Sequence, residues 1–124
     1  MPTLIVTSGP GEGTYYPLGK RTTVVGRHET CALQVLDEKV SGKHCQIRFE
    51  EFDKSYRLLD MKSTNGTLVH GRKLEGELTL QEDDEIQIGN ARLLFTNQDF
   101  PDKASAALYA KKAGQKNRPT IEQR

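Results

Sequence analysis

Residues 85–95 read EIQIGNARLLF, two short apolar-rich segments on either side of a Gly-Asn pair. Glycine and asparagine adopt the positive φ angles that a tight turn requires, so this stretch predicts a β-hairpin that turns at Gly89-Asn90. A second hairpin is predicted at Asn65-Gly66 for the same reason. Seven further segments with β-branched or alternating apolar residues read as strands: residues 4–6, 15–18, 22–25, 44–49, 56–60, 67–69 and 78–80. A strand about every ten residues predicts an all-β sandwich.

The pattern changes after Phe100-Pro101. Residues 103–113 contain five alanines and no β-branched side chain, which favours a short helix capped by Asp102. Gly114 is expected to end this helix, and Leu108 and Tyr109 are available to dock it on the sandwich. Residues 115–124 are expected to form a polar, mobile tail. We therefore divide the chain into a β domain at residues 1–99 and a helix with a flexible basic tail at residues 100–124.

Composition and charge exclude several classes of function. The net charge is +1, which gives little reason to expect nucleic-acid binding. Residues 111–124 carry five basic residues and one acidic residue, but without aromatic residues for stacking a solubilising tail is the favoured interpretation. No apolar run approaches the roughly 20 residues that cross a bilayer, so no membrane association is expected. No signal peptide is visible at the N-terminus, and we expect a cytoplasmic protein.

Metal binding and catalysis are both disfavoured by spacing. Cys31 and Cys45 are the only cysteines; two free thiols are the simpler interpretation, although a disulfide between them stays open. His44 and Cys45 are adjacent, so on a strand they point to opposite faces, and no CxxC pair exists. The sequence therefore predicts no metal and no other cofactor. Ser41 and His44 lack a third member and an oxyanion hole, so no enzyme is expected.

Three short sequence motifs follow one another along the chain. Gly26-Arg27 ends a β-branched strand, Ser41-Gly42-Lys43-His44 precedes another strand, and Ser63-Thr64-Asn65-Gly66-Thr67 precedes a third. Singly, each reads as a turn or a strand end. In this order they resemble the forkhead-associated (FHA) family, and the resemblance runs from about residue 4 to residue 95. It includes the acidic turn, strand and glycine of residues 82–89. The resemblance implies an FHA-type sandwich of about 11 short strands.

The chemistry of these residues suits a phosphate monoester, which carries about −1.5 to −2 charges and three acceptor oxygens. Arg27 supplies a fixed positive charge, and Ser41 and Thr64 supply short hydroxyl donors. Asn65 carries both a donor and an acceptor and can grip the ligand backbone beside the phosphorylated residue. The family resemblance implies the same roles for these positions.

Supporting roles are expected for three residues around the site. Gly26 is predicted to form the turn that lets Arg27 project, and Gly66 to complete the opposite hairpin. His44 is predicted to bond backbone groups on both sides and to fix the loop before its strand.

One position departs from the family pattern. The family often carries Arg, Lys or Asn directly after the motif serine, whereas this chain has Gly42 there and its basic residue, Lys43, one place later. We include both residues in the predicted phosphopeptide site, with the expectation that the clamp lacks one side chain unless Gly42 lets the loop turn Lys43 inward.

The resemblance implies a module that binds phosphothreonine peptides downstream of a Ser/Thr kinase. The alternative is a degenerate FHA scaffold that binds a partner without phosphate, which ranks second because Arg27, Ser41 and Asn65 are all present. Thr120 lies in the expected tail, and if phosphorylated it would be a tethered ligand for the same domain or for a neighbouring copy.

Overall fold

Eleven strands and one helix make up the part of the chain that the computed structural model describes, which is the backbone of residues 1–116 and the side chains of residues 1–113. The elements are β1 (Thr3–Ser8), β2 (Tyr15–Pro17), β3 (Thr23–Gly26), β4 (Leu33–Gln34), β5 (Cys45–Glu50), β6 (Ser55–Asp60), β7 (Thr67–Val69), β8 (Arg72–Lys73), β9 (Glu77–Thr79), β10 (Glu85–Ile88), β11 (Ala91–Thr96) and α1 (Lys103–Lys116). An all-β sandwich followed by a helix is therefore confirmed.

The strands form two sheets. The six-stranded sheet has the order β2-β1-β11-β10-β7-β8, and the five-stranded sheet has the order β4-β3-β5-β6-β9. The predicted hairpin at Gly89-Asn90 is confirmed, because Ile88 pairs with Ala91 across it. Gly89 has a φ of 56°, as a tight hairpin turn requires.

The hairpin predicted at Asn65-Gly66 is wrong. β6 pairs with β5 and β9, whereas β7 pairs with β10 and β8, so the chain crosses from one sheet to the other between β6 and β7. Gly66 does adopt a positive φ of 84°, but this angle fixes a local turn and not the partner of the next strand. The hairpin of this region lies at His70-Gly71, where φ is 51° and 80° and Val69 pairs with Arg72. Positive φ at both central residues is the type I′ pattern.

The core lies between the two sheets and is built from the inward-facing residues of the alternating strands. Leu4, Ile47, Leu58, Ile86 and Leu93 are among the residues that are at most 1% exposed, and full burial of each such side chain is worth about 1.5–3 kcal/mol.

One aromatic side chain, that of Tyr56, connects the core to the loop that contains Gly19. Tyr56 stacks at a tilt between Phe49 and Phe95, with ring centroids 5.2 Å and 6.0 Å away. Its hydroxyl donates a 2.6 Å hydrogen bond to Gly19 O.

A second apolar cluster docks α1 on the outer face of the six-stranded sheet. Ala106 and Ala113 cover Ile5 and Leu94, and Tyr109 packs beside them. Small residues let the helix backbone approach the sheet closely. The predicted docking of Tyr109 is confirmed.

Two details of the predicted helix are wrong, and its cap is right. Leu108 is 56% exposed, because the buried face follows the 3–4-residue spacing of Ala106, Tyr109 and Ala113. The helix continues past Gly114 to Lys116, since glycine costs only about 1 kcal/mol relative to alanine in a helix. Asp102 caps the first turn as predicted: its Oδ1 accepts a 2.8 Å hydrogen bond from the Ser105 N–H.

Candidate phosphopeptide site

Three loops meet at one end of the sandwich: residues 27–32, residues 35–44 and residues 61–66. The first two are joined by hydrogen bonds from Arg27 N to Ser41 O and from His28 N to Gly42 O, both 3.0 Å. The second and third are joined by a 2.9 Å bond from Thr64 N to Ser41 Oγ. The structure therefore brings together the three motifs that lie far apart in sequence.

Gly26 is needed for close approach and not for a turn, which corrects the predicted reason. It is the last residue of β3, and its φ is not positive. A Cβ at Gly26 would lie 2.2 Å from Gly42 O and 3.0 Å from Cys31 Sγ. Only glycine lets the loop of residues 35–44 cross β3 at this distance.

Arg27 presents an uncompensated charge. Its side chain is exposed, and within the part of the chain that the structure describes its guanidinium makes no hydrogen bond and no ion pair. Arg48 and Arg57 differ from it, since both are bonded to the carboxylate of Glu77. The backbone of Arg27 is fixed by Ser41, so the cation is held at the site while its side chain stays available for an anion.

Ser41 is half-buried and oriented by backbone contacts. Its Oγ accepts the hydrogen bond from Thr64 N, which leaves the hydroxyl proton free to be donated to a ligand oxygen. Its N–H donates a 3.0 Å bond to His44 Nδ1. The hydroxyl therefore lies beside the loop that carries Thr64.

His44 joins two of the loops from within the core. It is fully buried, its Nδ1 accepts from Ser41 N, and its Nε2 lies 2.8 Å from Gly66 O. A ring that carries its proton on Nε2 satisfies both bonds. Gly66 thus acts as an acceptor for His44 and not as the centre of a hairpin.

Asn65 is exposed and its amide is fixed on one side. Its Nδ2 donates a 2.9 Å hydrogen bond to Lys39 O, which leaves Oδ1 as an acceptor for a ligand N–H. Thr64 is also exposed, and its hydroxyl makes no hydrogen bond within the described residues.

The departure at Gly42 remains in the structure. A Cβ at Gly42 would meet no atom within 4 Å, so the position that carries a side chain in much of the family faces open space here. Lys43 is exposed.

Asp60 holds the loop of residues 61–66 together and was missed by the sequence analysis. It ends β6, and its carboxylate accepts hydrogen bonds from Ser63 N, Ser63 Oγ and Thr67 Oγ1 at 2.9, 2.6 and 2.7 Å. Burial opposes ionisation of Asp60, but these hydrogen bonds outweigh it and lower the pKa of the carboxyl below its ordinary value. An aspartate three residues before a serine in a loop is the signal that could have found it.

Asp37 was also missed, and it joins two loops. Its carboxylate accepts hydrogen bonds from Lys39 N at 3.0 Å and from Asn90 N at 2.6 Å. The first of these bonds is the largest cause of a lowered pKa at Asp37. Because Lys39 O in turn holds Asn65, Asp37 connects the Gly89-Asn90 turn to the loop of residues 61–66.

The two cysteines are free thiols, which decides the alternative that the sequence left open. Cys31 donates a 3.1 Å hydrogen bond to Gly42 O. Burial raises the pKa of Cys45 to about 12. In the part of the chain described, no three His, Cys, Asp or Glu side chains are grouped as metal ligands, and no helix there is long and apolar enough to cross a membrane.

Comparisons with known proteins agree with this geometry. A family model described as the FHA domain matches residues 23–89. The oxoglutarate dehydrogenase inhibitor of Corynebacterium efficiens is 38% identical over 92 residues, which is 74% of this chain and 63% of that protein. The glycogen accumulation regulator GarA of Mycolicibacterium smegmatis is 35% identical over 92 residues, 74% of this chain and 56% of that protein. The chain thus matches less than two thirds of the length of these relatives.

Solved structures show the same architecture. A structure from a study of phosphothreonine-dependent FHA domain interactions superposes with a TM-score of 0.71 at 27% identity, over 80% of this chain and 98% of that one. The motif order, the two-sheet topology and the matched family model together show that this chain belongs to the FHA-domain family.

Proposed function

We propose that this protein is a phosphothreonine-dependent interaction module that acts downstream of a Ser/Thr kinase and performs no catalysis. The observation that carries the proposal is the exposed guanidinium of Arg27, which makes no pair within the described residues and whose backbone N–H is bonded to Ser41 O. The Ser41 hydroxyl is oriented in turn by the Thr64 N–H. The related structure from work on phosphothreonine-dependent FHA interactions supports it. The binding domain is taken as residues 1–99.

Each residue of the proposed site contacts a different part of the ligand. Arg27 pairs with phosphate oxygens, and Ser41 and Thr64 donate their hydroxyl protons to them. Asn65 accepts a hydrogen bond from the ligand backbone through Oδ1. Lys43 adds positive charge at the rim. The loops around Ser41–Lys43 and Thr64–Asn65 are the proposed walls of a small pocket for the threonine methyl; filling such a pocket would be worth roughly 1–3 kcal/mol.

Binding without catalysis is supported by the position of His44. Its Nδ1 accepts from the backbone of Ser41 and its Nε2 faces Gly66 O, so neither nitrogen is placed to take the proton of the Ser41 hydroxyl. Ser41 therefore serves as a donor to phosphate and not as a nucleophile.

The test is titration of phosphothreonine peptides, by calorimetry or fluorescence anisotropy, before and after phosphatase treatment. We expect binding to vanish on dephosphorylation and to weaken by about 1.5–3 kcal/mol in Arg27→Ala, the scale of a charged hydrogen bond. The matched control is Arg21, an exposed arginine that lies two residues before β3, at the end of the strand opposite to Arg27. Arg21→Ala should bind the phosphopeptide as the wild type does. Equal binding with and without phosphate would instead favour the phosphate-independent scaffold.

Self-association through Thr120 is a further part of this proposal. Thr120 lies outside the described residues. A phosphate on Thr120 would make the segment Arg118-Pro119-Thr120-Ile121-Glu122 a ligand of the same site, in cis or in a neighbouring copy. Mass spectrometry of protein from its native cell should detect the modification, and a phosphorylated chain should compete with added phosphopeptide. An unmodified Thr120 would remove this part of the proposal.

The cytoplasm is the proposed compartment. Reducing conditions there keep Cys31 and Cys45 as the free thiols that the structure contains. Fractionation followed by detection of the protein with an antibody tests this assignment.

A further inference from the structure

Lys73 lies beside the proposed binding site, on the edge strand of the six-stranded sheet. It is on β8, opposite Leu68 of β7, and its side chain extends across Gly66. A Cβ at Gly66 would lie 3.2 Å from Lys73 Cε and 3.7 Å from Lys73 Cγ. Because Gly66 directly follows Asn65, the ammonium group lies at the margin of the loop that is proposed to grip the peptide.

The charge of Lys73 is uncompensated. Within the residues whose side chains the structure describes, its Nζ has no hydrogen-bond partner and no carboxylate oxygen within 4.0 Å. Leu68 and Gln87, which follow it across the outer face of the six-stranded sheet, are uncharged. Glu75 and Glu77 line the same 520 Å³ cavity but do not pair with it.

We propose that Lys73 is a specificity-determining residue that selects an aspartate or glutamate in the bound peptide. The proposal rests on the phosphothreonine site described above. Thr64, Asn65 and Gly66 are consecutive, so a peptide that places its phosphate at Thr64 and its backbone at Asn65 continues toward Lys73. An extended peptide advances about 3.3 Å per residue, which places the selected residue within about four positions of the phosphothreonine.

An exposed ion pair of this kind contributes selectivity more than affinity. Solvent screens the attraction, and ordering the lysine side chain costs entropy. We therefore expect an effect of about two- to fivefold in Kd, which decreases as salt shortens the Debye length.

The experiment uses the full chain and a set of phosphothreonine peptides with alanine at all flanking positions. Single aspartates are placed at each of the four positions on either side of the phosphothreonine. We expect the wild type to bind one of these peptides about two- to fivefold more tightly than the all-alanine peptide, with the gain reduced by added salt. Lys73→Ala should lose the gain, Lys73→Glu should turn it into a penalty, and Lys73→Arg should retain it.

Arg72 provides the matched control. It is the neighbouring cation on the same strand and is also exposed, but successive strand residues point to opposite faces. Arg72→Ala should therefore keep the aspartate preference. Retention of the full preference in Lys73→Ala, with phosphate-dependent binding intact, would overturn the proposal alone. Binding of every peptide irrespective of phosphate would overturn both this proposal and the proposed function.

Discussion

Two glycines near the proposed site, Gly26 at the end of β3 and Gly42 in the loop of residues 35–44, have opposite surroundings. Gly26 lies where another loop crosses β3, so a Cβ there would be 2.2 Å from Gly42 O. Gly42 faces open space, with no atom within 4 Å of a Cβ. Neither has a positive φ, so steric contact and not backbone conformation distinguishes them.

Alanine substitution should separate the two glycines. We expect Gly26→Ala to destabilise the fold by about 1–3 kcal/mol through overpacking, and to weaken phosphopeptide binding because the backbones of Arg27 and Ser41 are displaced. Gly42→Ala should change the free energy of unfolding by less than about 0.5 kcal/mol. Guanidinium denaturation and peptide titration measure both effects. Equal losses in the two variants would contradict the steric explanation.

The open space at Gly42 also predicts a gain of function. Gly42→Arg places a guanidinium at the position that carries a side chain in much of the family, next to the proposed phosphate site. We expect phosphopeptide binding to tighten by about 1–2 kcal/mol, within the range of a charged hydrogen bond. Gly42→Gln is the control for added bulk and should give a smaller change. An unchanged Kd for Gly42→Arg would show that the phosphate lies out of its reach.

At the scale of elements, two carboxylates hold the proposed binding loops in place: Asp37 is buried and Asp60 is half-buried. Asp60 closes the connection between β6 and β7 through Ser63 and Thr67. Asp37 ties the loop after β4 to the turn between β10 and β11. Each carboxylate neutralises the dipoles of N–H or O–H groups that would otherwise be unpaired, so the loops need no regular secondary structure.

Asp37 predicts a pH dependence of stability. Its pKa is lowered in the folded state, so its contribution is complete above the unfolded value of about 3.9 and is lost as pH falls through the lower folded value. Wild type should exceed Asp37→Asn in stability by about 1–3 kcal/mol at pH 7, and the difference should shrink below about pH 4. Denaturation curves from pH 7 to pH 2.5 measure it. A difference that does not vary with pH would contradict the assignment.

These contacts show why the sequence predicted some elements and not others. Residues 85–95 were predictable, because alternation and a Gly-Asn turn are local signals. β4 and β8 have two residues each, too few to show any periodicity. Asn65-Gly66 specified a positive φ, but the choice of partner sheet depends on distant strands. Arg27 could be proposed as a site residue from its motif, whereas Asp37 acts on backbone N–H groups that only the folded chain brings to it.

At the scale of the whole molecule, the proposed site and the contact of the α1 residue Tyr109 with Glu82 and Asp83 lie at opposite ends of the sandwich. The Gly89-Asn90 turn follows β10 on the side of the binding loops, and the Glu82-Asp83 turn precedes β10 at the other end. The Tyr109 hydroxyl lies 2.6 Å from Glu82 Oε2 and from Asp83 Oδ1. Burial and these two carboxylates raise the pKa of the tyrosine.

This separation predicts that stability and binding can be changed independently. Tyr109→Phe should lower the free energy of unfolding by about 1–2 kcal/mol, because Glu82 and Asp83 lose a hydrogen-bond donor. Its Kd for phosphopeptide should equal that of the wild type. Leu108→Ala, on the exposed side of α1, should change neither quantity. Thermal unfolding and peptide titration test the pair, and weaker binding by Tyr109→Phe would argue against the separation.

The pairing of β1 with β11 has a mechanical consequence. β1 and β11 are neighbours in the six-stranded sheet, and the pair Thr3–Thr96 lies at the end of these two strands away from the proposed binding loops. Ladder hydrogen bonds lie perpendicular to antiparallel strands. Tension applied through these two residues therefore opens the bonds one after another from that end. The proposed peptide-binding loops, at the opposite end of these strands, are the last to be loaded.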